Sequence, residues 1–283
     1  RQVNTDYITG STQIDEALRK STLGAIISNQ KIQAYNNDST AIVFDMTGVF
    51  LSDNKKMSPF DRNSIYGMYN RTENYQSDCS YISQIKAFKD NVSIKSCLSY
   101  TFSVSNSQGA SLIKDRPFTA EMTRSIMLLK EKPYRPRMAD YRIGVFFTGR
   151  EQLGEGAKTT APVYYANRWD IQPSDTAAYL RGEKVKPTKQ IVFYIDNTFP
   201  EKWKPYLREG VTQWNELFEQ IGFKDVVAAK DFPTDDPEFD PDNIKYSCVR
   251  YAPSSIENAM GPSWVDPRSG EILNASVYLY HNV

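Results

Sequence analysis

Residues 190–222 read QIVFYIDNTFPEKWKPYLREGVTQWNELFEQIG, and this stretch decides the fold class. Ile191 to Ile195 is a short apolar run rich in β-branched and aromatic residues, bounded by Lys189 and Asp196. It predicts a buried strand. Thr198-Phe199-Pro200-Glu201 has the pattern of a capping box, with a Thr hydroxyl for the free N–H groups and a Glu three residues on. Trp203, Tyr206, Leu207, Val211, Trp214, Leu217, Phe218 and Ile221 then recur at steps of three and four, which predicts an amphipathic helix with Trp214 mid-face and buried on a sheet. Pro205 either kinks the first turn or marks the start of the regular helix. Gly222 stands where a left-handed C-terminal residue is expected.

Outward from that helix, Val226–Ala229, Ile244–Tyr251 and Ile272–Tyr280 read as strands. A strand, a long helix and three more strands describe an α/β half-domain with a helix packed on a mixed sheet. Asp266-Pro267-Arg268-Ser269-Gly270 has the residues of a turn: Asp for an Asx turn, Pro to fix φ, Gly for positive φ. It launches the strand from Ile272.

The first 130 residues hold strands at hairpin spacing and no long amphipathic helix. Gln13–Leu18 is long enough for one helical turn. Leu23–Tyr35 and Thr40–Met46 read as strands joined by Asn36-Asn37-Asp38-Ser39. Thr47–Asn63 and Asn70–Asp78 read as loops. Tyr81–Phe88 and Val92–Phe102 form a hairpin about Lys89-Asp90-Asn91, and Phe118–Leu129 alternates like a further strand. A sandwich or a curved sheet fits this pattern. The whole chain is therefore α+β: a β-rich domain over 1–130, a connector with additional strands over 131–187, and the α/β half-domain over 188–283. Within the connector, Lys130–Asp140 is extended, Arg142–Phe147 and Val163–Ile171 read as strands, Gly149–Thr160 as a loop and Ser174–Leu180 as a short helix. Arg135 and Arg137 either grip an acidic partner or belong to a solvated linker.

Composition excludes several functions. Net charge is zero, so there is no basic field for nucleic acid and no polybasic membrane patch. No apolar run approaches the roughly 18 residues of a membrane helix. The single His, His281, leaves Ser–His–Asp and Cys–His nucleophile systems without a base elsewhere in the chain. No G-x-S-x-G and no Gly-rich phosphate loop is present, and no particular carboxylate pair stands out for glycoside hydrolysis. Three Cys make no disulfide framework. In a hairpin register centred on Asp90, Cys97 faces Ser83, and Cys79 lies about 13 Å further on, too far to bridge unless the strand bends. Cys248 reads as a small core residue.

Asp231, Asp235, Asp236, Glu238, Asp240 and Asp242 crowd one loop. Oxygen ligands this dense suit Ca²⁺, with Asp235, Asp236, Asp240 and Asp242 as candidates. Pro233, Pro237 and Pro241 interrupt the loop, and the spacing is not that of an EF-hand. A solvated loop is the alternative.

Three long segments carry a family resemblance: IVFYIDNTFPEKWKPYLREGVTQWNELFEQIGF (191–223), DFPTDDPEFDPDNIKYSCVRY (231–251) and GPSWVDPRSGEILNASVYLYHN (261–282). They resemble the first half of the catalytic domain of a bacterial family of secreted zinc-dependent metallopeptidases with a zincin-like fold. EKPYRPRMADYRIGVFF (131–147) and YYANRWDI (164–171) resemble the segment leading into that domain, and the N-terminal part resembles its preceding β-rich region. The resemblance implies export, a peptide or protein substrate, and Zn²⁺ held by an H-E-x-x-H helix whose Glu is the general base. No H-E-x-x-H occurs here, so the resemblance places the metal helix beyond Val283 and makes the chain a truncated, inactive front half with no catalytic or metal residue of its own. Arg1 follows no initiator Met or signal peptide, as when a leader has been removed or the chain cut. His281 is either a ligand or a polar residue at a strand end.

In zincin folds the strand corresponding to Ile272–Tyr280 is the sheet edge beside the cleft. The resemblance thus makes Leu273, Asn274, Ala275, Ser276 and Val277 the substrate-pairing rim. A strand that only completes the sheet is the alternative, and an uncovered one invites self-association. Two expectations of different class result: the N-terminal portion of an exported zinc endopeptidase, or a secreted β-rich binding or structural module without catalysis.

Overall fold

In chain order the computed structural model runs β1 (Tyr7–Thr9), α1 (Thr12–Ser21), β2 (Ile32–Tyr35), β3 (Ile42–Phe44), α2 (Thr47–Phe50), β4 (Tyr69–Ala87), β5 (Asn91–Asn106), β6 (Ser111–Met127), β7 (Phe147–Leu153), β8 (Ala161–Ala166), α3 (Thr176–Leu180), β9 (Ile191–Ile195), α4 (Lys204–Thr212), α5 (Trp214–Gln220), β10 (Val227–Asp231), β11 (Ser247–Ala252), β12 (Ala259–Met260), β13 (Ser263–Val265) and β14 (Ile272–Tyr280). It describes residues 6–54, 57–60, 69–154 and 160–282. The loops expected at Thr47–Asn63 and Gly149–Thr160 fall partly outside these, and Val283 wholly so. The fold is β-rich α+β, with many strands and few, short helices.

The chain forms two compact units: residues 24–128, and residues 6–23 together with 129–282. The first is built on one antiparallel sheet in the order β4-β5-β6, with a separate β2–β3 hairpin. Its strands run 19, 16 and 17 residues, well beyond the usual three to ten or so. Asn70–Asp78, read as a loop, is strand: Tyr69 to Gln76 pair with Ser99 to Asn106. Ile94, Leu98 and Tyr100 fill the buried face.

The hairpin register also departs from expectation. Ala87 pairs Val92, and two irregularities in β4 bring Tyr81, not Ser83, opposite Cys97. The unpaired stretch between Gln76 and Tyr81 is a bulge that bends the strand. It is pinned by Ser99, whose N–H donates to Ser80 Oγ and whose hydroxyl donates to the Cys79 carbonyl. Cys79, Cys97 and Cys248 are all free thiols. Burial pushes the Cys248 thiol up to about 11, as befits a small core residue.

The second unit holds a three-stranded sheet, β1-β7-β8, and a larger one in the order β10-β9-β11-β14-β12, with β13 also on β14. β10, β9, β11 and β14 are mutually parallel. The helix joining β9 to β10 covers one face, and apolar centres form around Ile191, Val226 and Val227 and around Ile195, Phe199 and Val249.

That helix differs from its sequence reading in three ways. No capping box forms: Asp196 accepts from Thr198 N–H, Glu201 pairs with Lys204 Nζ, and Pro205 marks the first turn. The helix breaks at Gln213, directly after Thr212 bonds back to the Arg208 carbonyl, a contact that bends helices. And Trp214 faces out, 59% exposed, as do Leu217 and Ile221. The inward line is Trp203, Leu207, Val211 and Phe218, each half-buried against the core. In it Asn215 takes the place expected of Trp214, bonding both the N–H and the carbonyl of Val227 at 2.8 Å. Gly222 closes the helix at φ +87°.

Candidate functional site

The turn expected at Asp266–Gly270 is present, and its chemistry organises the region. Asp266 is buried, and its Oδ1 accepts the Arg268 N–H at 2.8 Å. The Arg268 guanidinium grips both carboxylate oxygens. Burial alone would raise the Asp266 carboxyl; the Arg268 bonds overcome it and hold the group below its ordinary value. Gly270 has φ +73°, and a Cβ there would stand 2.8 Å from the Ala166 carbonyl, so only glycine fits. Arg268 also donates to the Lys130 carbonyl, while Lys130 Nζ donates to buried Glu271 at 2.6 Å.

This turn launches β14 at Ile272, as expected, and also joins it to β13 as a hairpin. Asp266 N–H bonds the Glu271 carbonyl, and Val265 pairs Ile272. β13 and β12 therefore run back along β14: Ser263 pairs Ala275, Trp264 pairs Asn274, Met260 pairs Tyr278. On its other side β14 pairs β11 from Ser276 to Tyr280. Leu273–Val277, the rim that the resemblance implies, lie in a strand flanked by β13 up to Ala275 and by β11 from Ser276 onward. Asn274 is 2% exposed and donates to the carbonyls of Ile244 and Tyr246. Ala275 N–H goes to Ser247 Oγ, and Val277 packs against the Ile195 centre.

The open edge is β12–β13. Ser276 N–H donates to the Pro262 carbonyl at 3.0 Å. In an antiparallel ladder this turns the N–H and C=O of Ser263, opposite Ala275, outward. The residues from Ser255 to Trp264 are all exposed, including Ile256, Met260 and Trp264. At the far side of the sheet, by contrast, Asn215 occupies the first residue of β10. Sequence reading missed β13 because Gly261-Pro262 reads as a breaker. Pro is compatible with an edge strand, where its missing N–H costs nothing, and Ser-Trp-Val before the turn was the available signal.

The other candidates are placed as follows. Asp236 Oδ1 accepts Glu238 N–H and Asp240 Oδ1 accepts Asp242 N–H, so these carboxylates serve local turns; Asp242 also lies near Arg250. Among the described residues no three His, Cys, Asp or Glu come together as a metal site, and Asp235, Asp236, Asp240 and Asp242 do not converge. With one His in the chain, the described residues do not fit a zinc centre. His281 bonds Tyr251 through Nδ1 and lies near the Trp203 ring. The acidic loop's structural role comes from Phe239, which stacks on Tyr194 and Tyr246 above the sheet. Arg135 and Arg137 are exposed, while their carbonyls accept from Arg168 and Ala166, fixing this extended stretch beside β8. Among the described residues no helix is long and apolar enough to cross a membrane.

The fold and edge thus define a β-rich α+β protein whose parallel sheet ends in a short antiparallel strand with bare backbone groups. The chain belongs to the family described as Domain of unknown function (DUF5117), whose model matches residues 1–174. No curated protein matches the chain, and no solved structure does.

Proposed function

We propose that this chain is the N-terminal portion of an exported zinc endopeptidase, and that the enzyme's extended peptide substrate pairs with the β12–β13 edge. The resemblance of residues 191–282 to such enzymes motivates the reading. The observation that carries it is the open edge itself: Ser263 presents an outward N–H and C=O on an exposed strand flanked by Met260 and Trp264. Strand addition needs such a bare edge, and backbone bonds then supply affinity while alternate side chains supply selectivity. The same edge, not β14, is where a chain lacking substrate would self-associate.

The test begins with the coding sequence after Val283. An H-E-x-x-H there supports the reading, and its absence removes the peptidase. In a protein carrying that motif, Ser263→Pro deletes one outward donor and should lower kcat/KM for an extended peptide by about tenfold. Ser263→Ala, which keeps the N–H, should leave it unchanged; equal losses in both variants would contradict edge pairing.

A further inference from the structure

The two faces of the β12–β13 edge carry different side chains. Met260 pairs Tyr278, and Trp264 pairs Asn274. Tyr278 and Asn274 lie four residues apart on one continuous strand, so they share a face, and their cross-strand partners share it with them. Pro262, whose carbonyl accepts the Ser276 N–H at 3.0 Å, belongs to the same series. Met260, Pro262 and Trp264 therefore stand on one face. Ser263 pairs Ala275 and falls on the other, the side on which Val277 packs against the Ile195 centre. Gly261 lies on that side too, since a Cβ there would meet Val277 Cγ2 at 3.9 Å. One face of the edge is large and apolar; the other is small.

The apolar face is open and carries no charge of its own. Met260 is 49% and Trp264 44% exposed. Tyr280 Oη donates to Met260 Sδ at 3.5 Å, which holds the thioether against β14. Residues 258–265 include no charged side chain. Arg250 of β11 pairs Tyr278 from the opposite side of β14 and so shares the face. Its guanidinium is already engaged, donating to the Pro241 carbonyl with Asp242 3.8 Å away.

A strand added to this edge bonds through the outward backbone groups of Ser263 and of Gly261, two residues before it. The peptide residue between the two bonded ones then sets its side chain over Pro262, with Met260 and Trp264 on its diagonals. The alternation is the same for either peptide direction. Resting on the edge reading given above, we propose that the edge selects extended peptides with a large apolar side chain, aromatic or branched, at the position over Pro262. Met260 and Trp264 are the specificity-determining residues. The peptide's residues on either side of that position face the small side of the edge, at Gly261 and Ser263.

Two capped pentapeptides, acetyl-Thr-Thr-Phe-Thr-Lys-amide and the same peptide with Asp in place of Phe, test this by NMR titration of the full chain, followed at the Gly261 and Ser263 amides. The Phe peptide should shift both signals and bind about fivefold more tightly than the Asp peptide. In Trp264→Ala that ratio should fall to about one, with binding of the Asp peptide unchanged. Met260→Ala, a smaller change kept in case the first variant does not fold, should roughly halve the ratio. Equal binding of the two peptides at these amides, or a ratio kept in both variants, would overturn the subsite and leave the edge standing. Shifts at neither amide would remove the edge reading itself, and the subsite with it.

Discussion

The sheet β4-β5-β6 and the sheet β10-β9-β11-β14-β12 solve the same problem in opposite ways. The first is three consecutive antiparallel strands joined by tight turns, so each strand finds its partner locally. Its turns are short: Phe88 N–H bonds Asn91 O at one end, and Asn106 N–H bonds Ala110 O at the other. The second needs a helical crossover to make β9 and β10 parallel, and a hairpin folded back on β14 to end the sheet. The comparison teaches where function can sit. Local pairing yields long strands with little variety, while the crossover sheet ends on a strand of a different direction, whose bare edge carries the proposed chemistry.

The largest effects should come from the centres of the two sheets. Leu98 in the first and Ile195 in the second are each 0% exposed. Leu98→Ala and Ile195→Ala should each cost about 2–5 kcal/mol. Because each unit has its own core, calorimetry or denaturant melts should show each substitution lowering one transition and sparing the other. Both transitions moving together would break the division into two units.

An intermediate effect separates the two sides of the crossover helix. Asn215→Ala removes two bonds to the Val227 backbone and should cost about 1–3 kcal/mol. Trp214→Ala should cost only about 0.5 kcal/mol, since the ring is 59% exposed. The reverse order in urea midpoints would restore the sequence reading.

That reversal shows what the sequence holds and what it hides. β9, β14, Gly222 and the Asp266 turn were legible because apolar runs and turn residues mark them locally. The helix was legible as a helix, but its two apolar lines, 203-207-211-218 and 206-214-217-221, both fit a helical repeat and compete. Asn215 broke the true line, and only its bond to Val227 reveals why it belongs there. The edge strand was hidden because Gly261-Pro262 splits it. The bulge at Gln76–Tyr81 was hidden because Ser99, twenty residues away, is what pins it. Long-range partners decided the helix face and the bulge, while a local Gly-Pro pair hid the edge strand.

A smaller effect lies in acid. The Asp266 carboxyl is held below its ordinary value by Arg268, against the effect of burial. Its stabilisation is complete above the unfolded value of about 4 and is lost as pH falls through the lower native value. Acid melts of Asp266→Asn should therefore be flatter than those of the native chain below about pH 4. An unchanged acid limb would mean that the Arg268 pair does not hold the β13–β14 hairpin.

Amide hydrogen exchange tests the edge assignment most directly. The account predicts slow exchange at Ala275 and Ser276, whose N–H groups bond Ser247 Oγ and the Pro262 carbonyl. It predicts fast exchange at Ser263, whose N–H faces outward. Ser276 exchanging as fast as Ser263 would mean that β14 itself is the open strand, and the β12–β13 edge would lose its role.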